Sequence, residues 1–379
     1  MAEPILPGAT VGIFGGGQLG RMLAMSARSL GYHVDVLDPD ASCAARFVVD
    51  RCITARFDDV TAAETLARQS QVVTIEIEKV SLASLHAASR LAPLRPSADV
   101  LKMVQDRAVQ KRWLSGNGFP LGRYREADSA ATLADAVQQL GGACFAKARM
   151  GGYDGGGQAQ LSKPEEATTA WSALGASPCV VELGLDLEAE LSVLVARSPS
   201  GQVAVYPPAL NHHTQRILDW SVLPGPMDPK VVARATDIAR EIATLLRVEG
   251  LLVVELFLTT RGDIFVNELA PRPHNSFHAT ELACQTSQFE QAIRAVCDLP
   301  LGETAAERPV ALCNLLGDLW MGQKPPPFHR ALELPGVKLY LYGKREARVG
   351  RKMGHLLAVG KTPDEAVSRV RQARERLLS

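Results

Sequence analysis

The chain has no net charge to spend on a polyanion: 41 lysines and arginines balance 41 aspartates and glutamates over 379 residues. That balance argues against a nucleic-acid or membrane surface as the partner. Long apolar runs are missing as well. No stretch approaches eighteen uncharged apolar residues, which excludes a membrane-spanning helix, and the opening MAEPILPGAT carries an acid and two prolines where a signal peptide would begin. Cysteine is sparse and unpatterned. Cys43, Cys52, Cys144, Cys179, Cys284, Cys297 and Cys313 are an odd number without a Cys-x-x-Cys pair. Buried free thiols in a reducing cytosol fit this spacing better than a disulfide framework, so a cytoplasmic protein is expected. There is no internal repeat and no Walker A loop of the form Gly-x-x-x-x-Gly-Lys-Ser/Thr. What is present is a chain 46% hydrophobic, long enough for two or three domains around a buried core.

The stretch Val253 to Ser276, VVELFLTTRGDIFVNELAPRPHNS, reads as two apolar strands joined by a turn at Thr260 to Asp263, with Gly262 able to take positive φ. Whether the loop has two residues or four, centring it sets Glu255 opposite Glu268. Two facing carboxylates repel unless a cation lies between them. Mg²⁺ suits such a pair, because it takes a few carboxylates and fills its other positions with water and substrate phosphate; Asn267 offers a further oxygen. Arg272, His274 and Asn275 follow at once, on backbone stiffened by Pro271 and Pro273. They predict an anion-binding corner beside a metal.

Near the N-terminus, TVGIFGGGQLG predicts a strand entering Gly15-x-Gly17-x-x-Gly20, and Leu19, Leu23, Ala27 and Leu30 mark a helical face ended by Gly31. A second strand, His33 to Leu37, stops at Asp38, where a dinucleotide-binding acid would stand. The glycines alone say only that a phosphate or backbone approaches a helix N-terminus. Gln18 adds an amide, and Glu76, at the end of a strand from Val72 to Ile77, can face the same place; Glu78 follows it. Leu94 to Ser97 closes this region near residue 100.

Further on, ACFAKARMGGYDGGGQAQL predicts a strand ending at Lys147, a glycine loop with Tyr153 and Asp154 at its tip, and a return strand. Strands Cys179 to Leu183 and Glu190 to Ala196 flank a linker, Gly184 to Ala189, that can present backbone groups to a purine. Adjacent His212 and His213 raise zinc, but on extended backbone they point to opposite faces and no third ligand is spaced nearby. Ser287 and Glu290 form a capping box opening a helix to Cys297. Gln323 to Phe328, with three prolines, predicts a linker. Lys338, Lys344, Arg345, Arg348, Arg351, Lys352 and His355 gather against Glu346 alone and suggest a phosphate contact. Thr362 caps a last amphipathic helix.

Together these pieces resemble the ATP-grasp superfamily. GGGQLGRM (Gly15 to Met22), GGYDGGGQ (Gly151 to Gln158), NELAPRPHNS (Asn267 to Ser276), TSQFE (Thr286 to Glu290) and GRKMGH (Gly350 to His355) resemble, more narrowly, its N5-carboxyaminoimidazole ribonucleotide synthetase family. The resemblance implies an α/β chain of the α+β ATP-grasp type. Its parts are a Rossmann-like domain (1–100), a small lobe with the glycine loop (101–180), a large lobe with the acid hairpin (181–325) and a C-terminal segment (326–379). It implies ATP-dependent carboxylation of 5-aminoimidazole ribonucleotide by bicarbonate in purine biosynthesis, with ATP and Mg²⁺ as cofactors, a homodimer, and neither nucleic acid nor membrane as partner. Arg107, Lys147 and His213 would contact nucleotide phosphates, Glu182, Leu183, Gly184, Leu185 and Glu190 adenosine, while Gly152, Tyr153, Asp154, Gly155, Gly156, Gly157 and Gln158 form the closing loop. Glu255 and Glu268 would hold the metal, with Asn267 beside them. Arg272, His274, Asn275 and Lys352 would hold bicarbonate and carboxyphosphate. Gln18, Leu19, Glu76, Tyr153, Asp154, Lys344 and Arg351 would surround the ribonucleotide, and Asp154 is the candidate for moving the amine proton.

The pattern is broken at four places: Gly156 stands for a usual basic residue, Arg216 and Phe277 for usual glycines, and Lys79 for a usual asparagine. Gly156 and Phe277 leave the loop's stiffness and the ribonucleotide site's shape open. Three other readings remain: a different ATP-grasp carboxylase or a formate-dependent glycinamide ribonucleotide transformylase, an NAD-dependent oxidoreductase built on the first glycine loop, and a nucleotide-binding regulator without catalysis. Gln18 and the His-Asn-Ser corner speak against the first. The oxidoreductase leaves the second glycine loop and the acid hairpin unexplained, and the regulator should lack a metal ligand or Lys147.

Overall fold

The structure, a computed structural model, describes residues 3–151, 157–322 and 325–378. The loop positions Gly152, Tyr153, Asp154, Gly155 and Gly156, and Gln323 and Lys324 of the expected linker, lie outside the described residues.

Four short apolar runs near the N-terminus form strands β1 (Thr10–Phe14), β2 (His33–Asp38), β3 (Arg51–Thr54) and β4 (Val72–Ile75). They pair in parallel in the order β3-β2-β1-β4. Parallel neighbours need crossovers, and the helix Gln18–Ser29 supplies the first, burying Leu19, Leu23 and Ala27. Gly31 then takes φ +86°, a left-handed turn that only glycine makes without strain.

A second, antiparallel sheet holds β5 (Tyr124–Ala127), β6 (Cys144–Ala148), β7 (Gln158–Leu161) and β8 (Cys179–Leu183), in the order β5-β8-β6-β7. Leu133, Val137 and Leu140 of the helix Ala130–Leu140 pack its core. β6 and β8 span the expected residues, so Lys147 and Glu182 sit on neighbouring strands.

The third sheet collects β9 (Leu187–Arg197), β10 (Val203–Val205), β11 (Ala209–Thr214), β12 (Ile217–Leu223), β13 (Gly250–Thr259), β14 (Ile264–Ala270), β15 (Val310–Leu316), β16 (Val337–Leu341) and β17 (Lys352–Val359). Its order is β14-β13-β9-β11-β12-β15-β17-β16, with β10 on β9. β9 starts at Leu187, before the expected Glu190, because Leu187 and Ala189 already pair with Thr259 and Leu258. The last two strands therefore share a sheet with the acid hairpin. One hydrophobic cluster joins Val11, Ile13 and Leu23 to Leu194, Leu251 and Phe289, so the parallel sheet and the large sheet are packed into a common core.

Two expectations about side chains change here. His355, grouped by sequence with the basic patch, is fully buried, its Nδ1 2.8 Å from the Tyr342 hydroxyl and its ring stacked on Tyr340 and His278. Burial pushes its pKa down to about 3, so it adds no positive charge. Lys338 lies over the Tyr340 ring rather than in a phosphate site. The final helix, Pro363–Glu375, is capped by Thr362 and buries Ala366, Val370 and Ala373, as its pattern predicts. Among the described residues no helix is long and apolar enough to cross a membrane.

Candidate active site

The hairpin pairs Glu255 with Glu268, but not through the expected turn. Thr259 faces Asp263 across a three-residue loop, Thr260 to Gly262, with Gly262 at φ +84°. That register alone would set Glu255 against Asn267. A β-bulge beyond Leu256 and Val266 inserts one residue into β14 and restores the acid pair. The bulge also explains why two consecutive residues, Asn267 and Glu268, both line the cleft, where a regular strand would send them to opposite faces.

Each acid has a nitrogen partner. Arg107, the first residue of the helix Arg107–Gly116, places Nη1 2.7 Å from Glu268 Oε2, and His274 Nε2 lies 3.1 Å from Glu255 Oε1. Burial works to raise the pKa of Glu255. The His274 hydrogen bond and the charges of His274, His213 and Arg107 overrule it and hold the group down to about 2. His213 points the other way from His212, which stacks on Trp220. Its Nδ1 is 3.1 Å from Glu190 Oε2; despite burial, that carboxylate raises its pKa. Among the described residues no three His, Cys, Asp or Glu side chains cluster as a metal cage.

Lys147 reaches across to β8, with Nζ 2.8 Å from Glu182 Oε2, and touches Asn267 Oδ1 at 3.3 Å. Lys111 holds the other oxygen of Glu182 at 3.0 Å. Burial opposes the charge on Glu182, yet the two ammonium groups keep its pKa down to about 2. The strand leading to the glycine loop is anchored too: Arg149 forms a two-pronged pair with Asp106, the residue that caps the helix carrying Arg107 and Lys111.

The first glycine loop encloses an acid from its own chain. Glu76 accepts from Gly17 N at 2.9 Å and from Gly20 N at 3.1 Å, filling the helix N-terminus where a dinucleotide phosphate would go. A Cβ on Gly15 or Gly17 would come within 2.6 or 2.7 Å of that carboxylate. Asp38 is turned inward to Gly16 N at 2.7 Å. Both contacts remove the oxidoreductase reading, because the loop and its acid already satisfy each other. Burial outweighs the two backbone donors and lifts the Glu76 pKa to about 7.

Beyond the hairpin, Arg272 Nε lies 2.7 Å from Glu78 Oε1. Asn275 is 8% exposed, and neither polar atom of its amide has a hydrogen-bond partner among the described residues. Such a group in a cleft wall is poised for a ligand. Of the pattern-breaking residues, Arg216 adopts φ +68°, the conformation a glycine takes easily. Phe277 is fully buried edge-on to Tyr206, so its bulk lies in the core and not in the cleft.

The acid pair, the two lysines, Glu182, Glu76 and the Arg272–His274–Asn275 corner line one cleft of about 1200 Å³. Every described residue that the family resemblance places in a site lies on its wall: Gln18, Leu19, Glu76, Arg107, Lys147, Gly157, Gln158, Glu182, Leu183, Gly184, Leu185, Glu190, His213, Glu255, Asn267, Glu268, Arg272, His274, Asn275, Lys344, Arg351 and Lys352. Sequence reasoning missed Lys111 and an apolar wall of Phe145, Phe257 and Phe265. Spacing held both signals: Lys111 is one helical turn from Arg107, and Phe257 shares a strand face with Glu255.

Comparison with known proteins agrees with this geometry. Residues 8–105 match the ribonucleotide synthetase preATP-grasp domain, 112–289 the ATP-grasp domain, and 311–369 the phosphoribosylaminoimidazole carboxylase C-terminal domain. The N5-carboxyaminoimidazole ribonucleotide synthase of Bacillus subtilis is 39% identical over 97% of this chain and 95% of its own, and that of Brucella melitensis 40% identical over 93% and 97%. A solved N5-carboxyaminoimidazole ribonucleotide synthetase in complex with ADP superposes with a TM-score of 0.94, at 38% identity and full coverage of both chains. The synthase of Aspergillus clavatus with ADP and 5-aminoimidazole ribonucleotide gives 0.89, at 30% identity over 97% and 98% of the two chains. The chain therefore belongs to the N5-carboxyaminoimidazole ribonucleotide synthase family of ATP-grasp ligases.

Proposed function

We propose that this protein converts 5-aminoimidazole ribonucleotide and bicarbonate into N5-carboxyaminoimidazole ribonucleotide at the expense of ATP, a step of purine biosynthesis. The observation that carries the reading is the convergence of Lys147, the Glu255–Glu268 pair and the Arg272–His274–Asn275 corner on the cleft that also holds Glu76 and Lys352. ATP occupies the part walled by Glu182 to Leu185, Phe145 and Phe257, with Lys147, Arg107 and His213 toward its phosphates. A bicarbonate oxygen attacks the γ-phosphorus, the bond to the β-phosphate oxygen breaks, and ADP leaves. Arg272, Lys352 and the orphaned Asn275 amide hold the bicarbonate and then the carboxyphosphate, and Lys147 and Arg107 offset the charge that builds on the transferring phosphoryl group. Cleavage of the carbon–oxygen bond of carboxyphosphate gives CO₂ and phosphate; the amine adds to CO₂ and loses a proton. Asp154 remains the candidate to take that proton. Water would consume the intermediate, so closure of the loop over it is a functional need.

The donor set suits Mg²⁺. Two carboxylates with an amide oxygen beside them are the few oxygen ligands it takes from a protein, and in the structure Arg107 pairs with Glu268 and His274 lies against Glu255. When bound, the metal neutralises phosphate oxygens and aligns the γ-phosphoryl group. A homodimer belongs to the same reading; sedimentation of a single 40.7 kDa species would refute it.

ADP release is expected to need bicarbonate and Mg²⁺ and to rise strongly with 5-aminoimidazole ribonucleotide. Equal turnover with glycinamide ribonucleotide and formate would favour the transformylase instead. Bicarbonate labelled with heavy oxygen should leave one labelled atom in each phosphate. Unlabelled phosphate from a pool that stays labelled would exclude carboxyphosphate and the role given to Arg272 and Lys352.

A further inference from the structure

Glu182 sits between two ammonium groups, and their difference in place suggests a difference in task. Lys147 approaches Oε2 from β6 and also touches Asn267, beside the acid hairpin. Lys111 approaches Oε1 from the helix that carries Arg107, and its side chain is 5% exposed against 15% for Lys147. The backbone of this helix is pinned to β14 by its neighbour Gln110, which accepts from Leu269 N at 3.3 Å. Burial pushes the Lys111 pKa below the usual lysine value, with Glu182 opposing that shift. Both line the cleft, but Lys111 is the deeper partner and Lys147 the one that also reaches the acid hairpin.

A lysine paired alone with a buried carboxylate makes a neutral couple that little water competes for, and removing one partner leaves the other charge stranded. Such a couple offers a phosphate no net charge. It also resists release of the lysine. With a second ammonium on the other oxygen the group of three carries a net charge of about +1, and the carboxylate keeps a partner when one lysine turns away. We infer that Lys111 is a positioning residue: it holds Glu182 so that Lys147 can swing its ammonium onto the nucleotide phosphates without stranding a buried carboxylate. The inference rests on the reading of Lys147 as a phosphate-binding residue.

The test is a double-mutant cycle read by calorimetric titration of ADP into wild type, Lys111→Met, Glu182→Gln and the double variant. Methionine keeps the apolar volume of the lysine stem, and Glu182 retains Lys147, so no charge is orphaned. Lys111→Met is expected to weaken ADP binding about tenfold by locking Lys147 to Glu182. Adding Glu182→Gln removes the lock and should bring affinity back to within about threefold of Glu182→Gln alone. A Lys111 that only packs would give additive losses, and additivity overturns the inference. Lys147→Met separates the two layers. If that variant binds ADP like wild type, the phosphate-binding reading fails and takes the inference with it; if it loses affinity while the cycle is additive, the inference alone fails. Should Lys111→Met not fold, Lys111→Gln carried through the same cycle is judged by the same criterion.

Discussion

Glu76 and Glu255 stand on walls of one cleft, and their pKa values are shifted in opposite directions. Glu76 ends the first β-α-β region, where two backbone N–H groups hold it and burial still lifts its pKa to about 7. Glu255 stands in the hairpin, where His274, His213 and Arg107 surround it and hold it at about 2. Burial is common to both, so the neighbours decide. The hairpin end is prepared for metal and phosphate, and the glycine-loop end for a ligand that meets a carboxyl group able to give or take a proton near neutral pH.

The largest expected break in this contrast is Glu255→Gln. Losing one charge of the acid pair should lower the rate of ADP formation by about 10²- to 10³-fold. Stability provided by Glu255 is fully present above pH 4.5 and is lost as pH falls toward 2, so the variant should unfold with a flatter acid dependence there. Unchanged turnover and Mg²⁺ dependence would show that the hairpin is not the metal site.

Glu76→Gln probes the other end. Because its folded pKa is raised, the native state keeps a proton that the unfolded chain releases, and wild-type stability should fall as pH rises from 4.5 to about 7. The effect is at most roughly 3 kcal/mol from the shift alone. Glutamine cannot titrate, so denaturant melts of the variant should lose that slope. A slope identical to wild type would mean that Glu76 is ionised throughout.

Asn275→Ala tests the neutral ground between the two acids. With no hydrogen-bond partner for its amide among the described residues, its melting temperature should stay level or rise, while the KM for bicarbonate should increase about tenfold. A drop in melting temperature with unaltered KM would make the amide structural.

How far the sequence disclosed this site follows from how local each signal is. The acid pair was legible because each glutamate interrupts an apolar run and the hairpin is short. The bulge was not, since an extra strand residue has no composition of its own; the pairing came out correctly although the loop length did not. Glu76 was placed at the glycine loop, but its hydrogen bonds to Gly17 and Gly20 depend on how β1 and β4 pair, which is a long-range fact. His355 was misjudged by charge clustering. Lying three residues from Lys352 on a strand, it belongs to the opposite face, and the period of two would have sent it inward. Lys111 shows the reverse case, a buried cation whose helical spacing from Arg107 was available and unused.

The bulge at Asn267 bears on how such a site is acquired. On either side of it, Val266 and Leu269 stay buried while Asn267 and Glu268 face the cleft. Deleting residue 267 would leave Leu256 opposite Val266 and Glu255 opposite Glu268 in an uninterrupted ladder, with every core side chain on its present face. A single inserted codon can therefore add an amide to the hairpin while the hydrophobic pattern is untouched, so the ligand set and the fold are separable under mutation at this position. A chain lacking residue 267 should fold with the same strand content by circular dichroism, having lost one oxygen donor and nothing of its core.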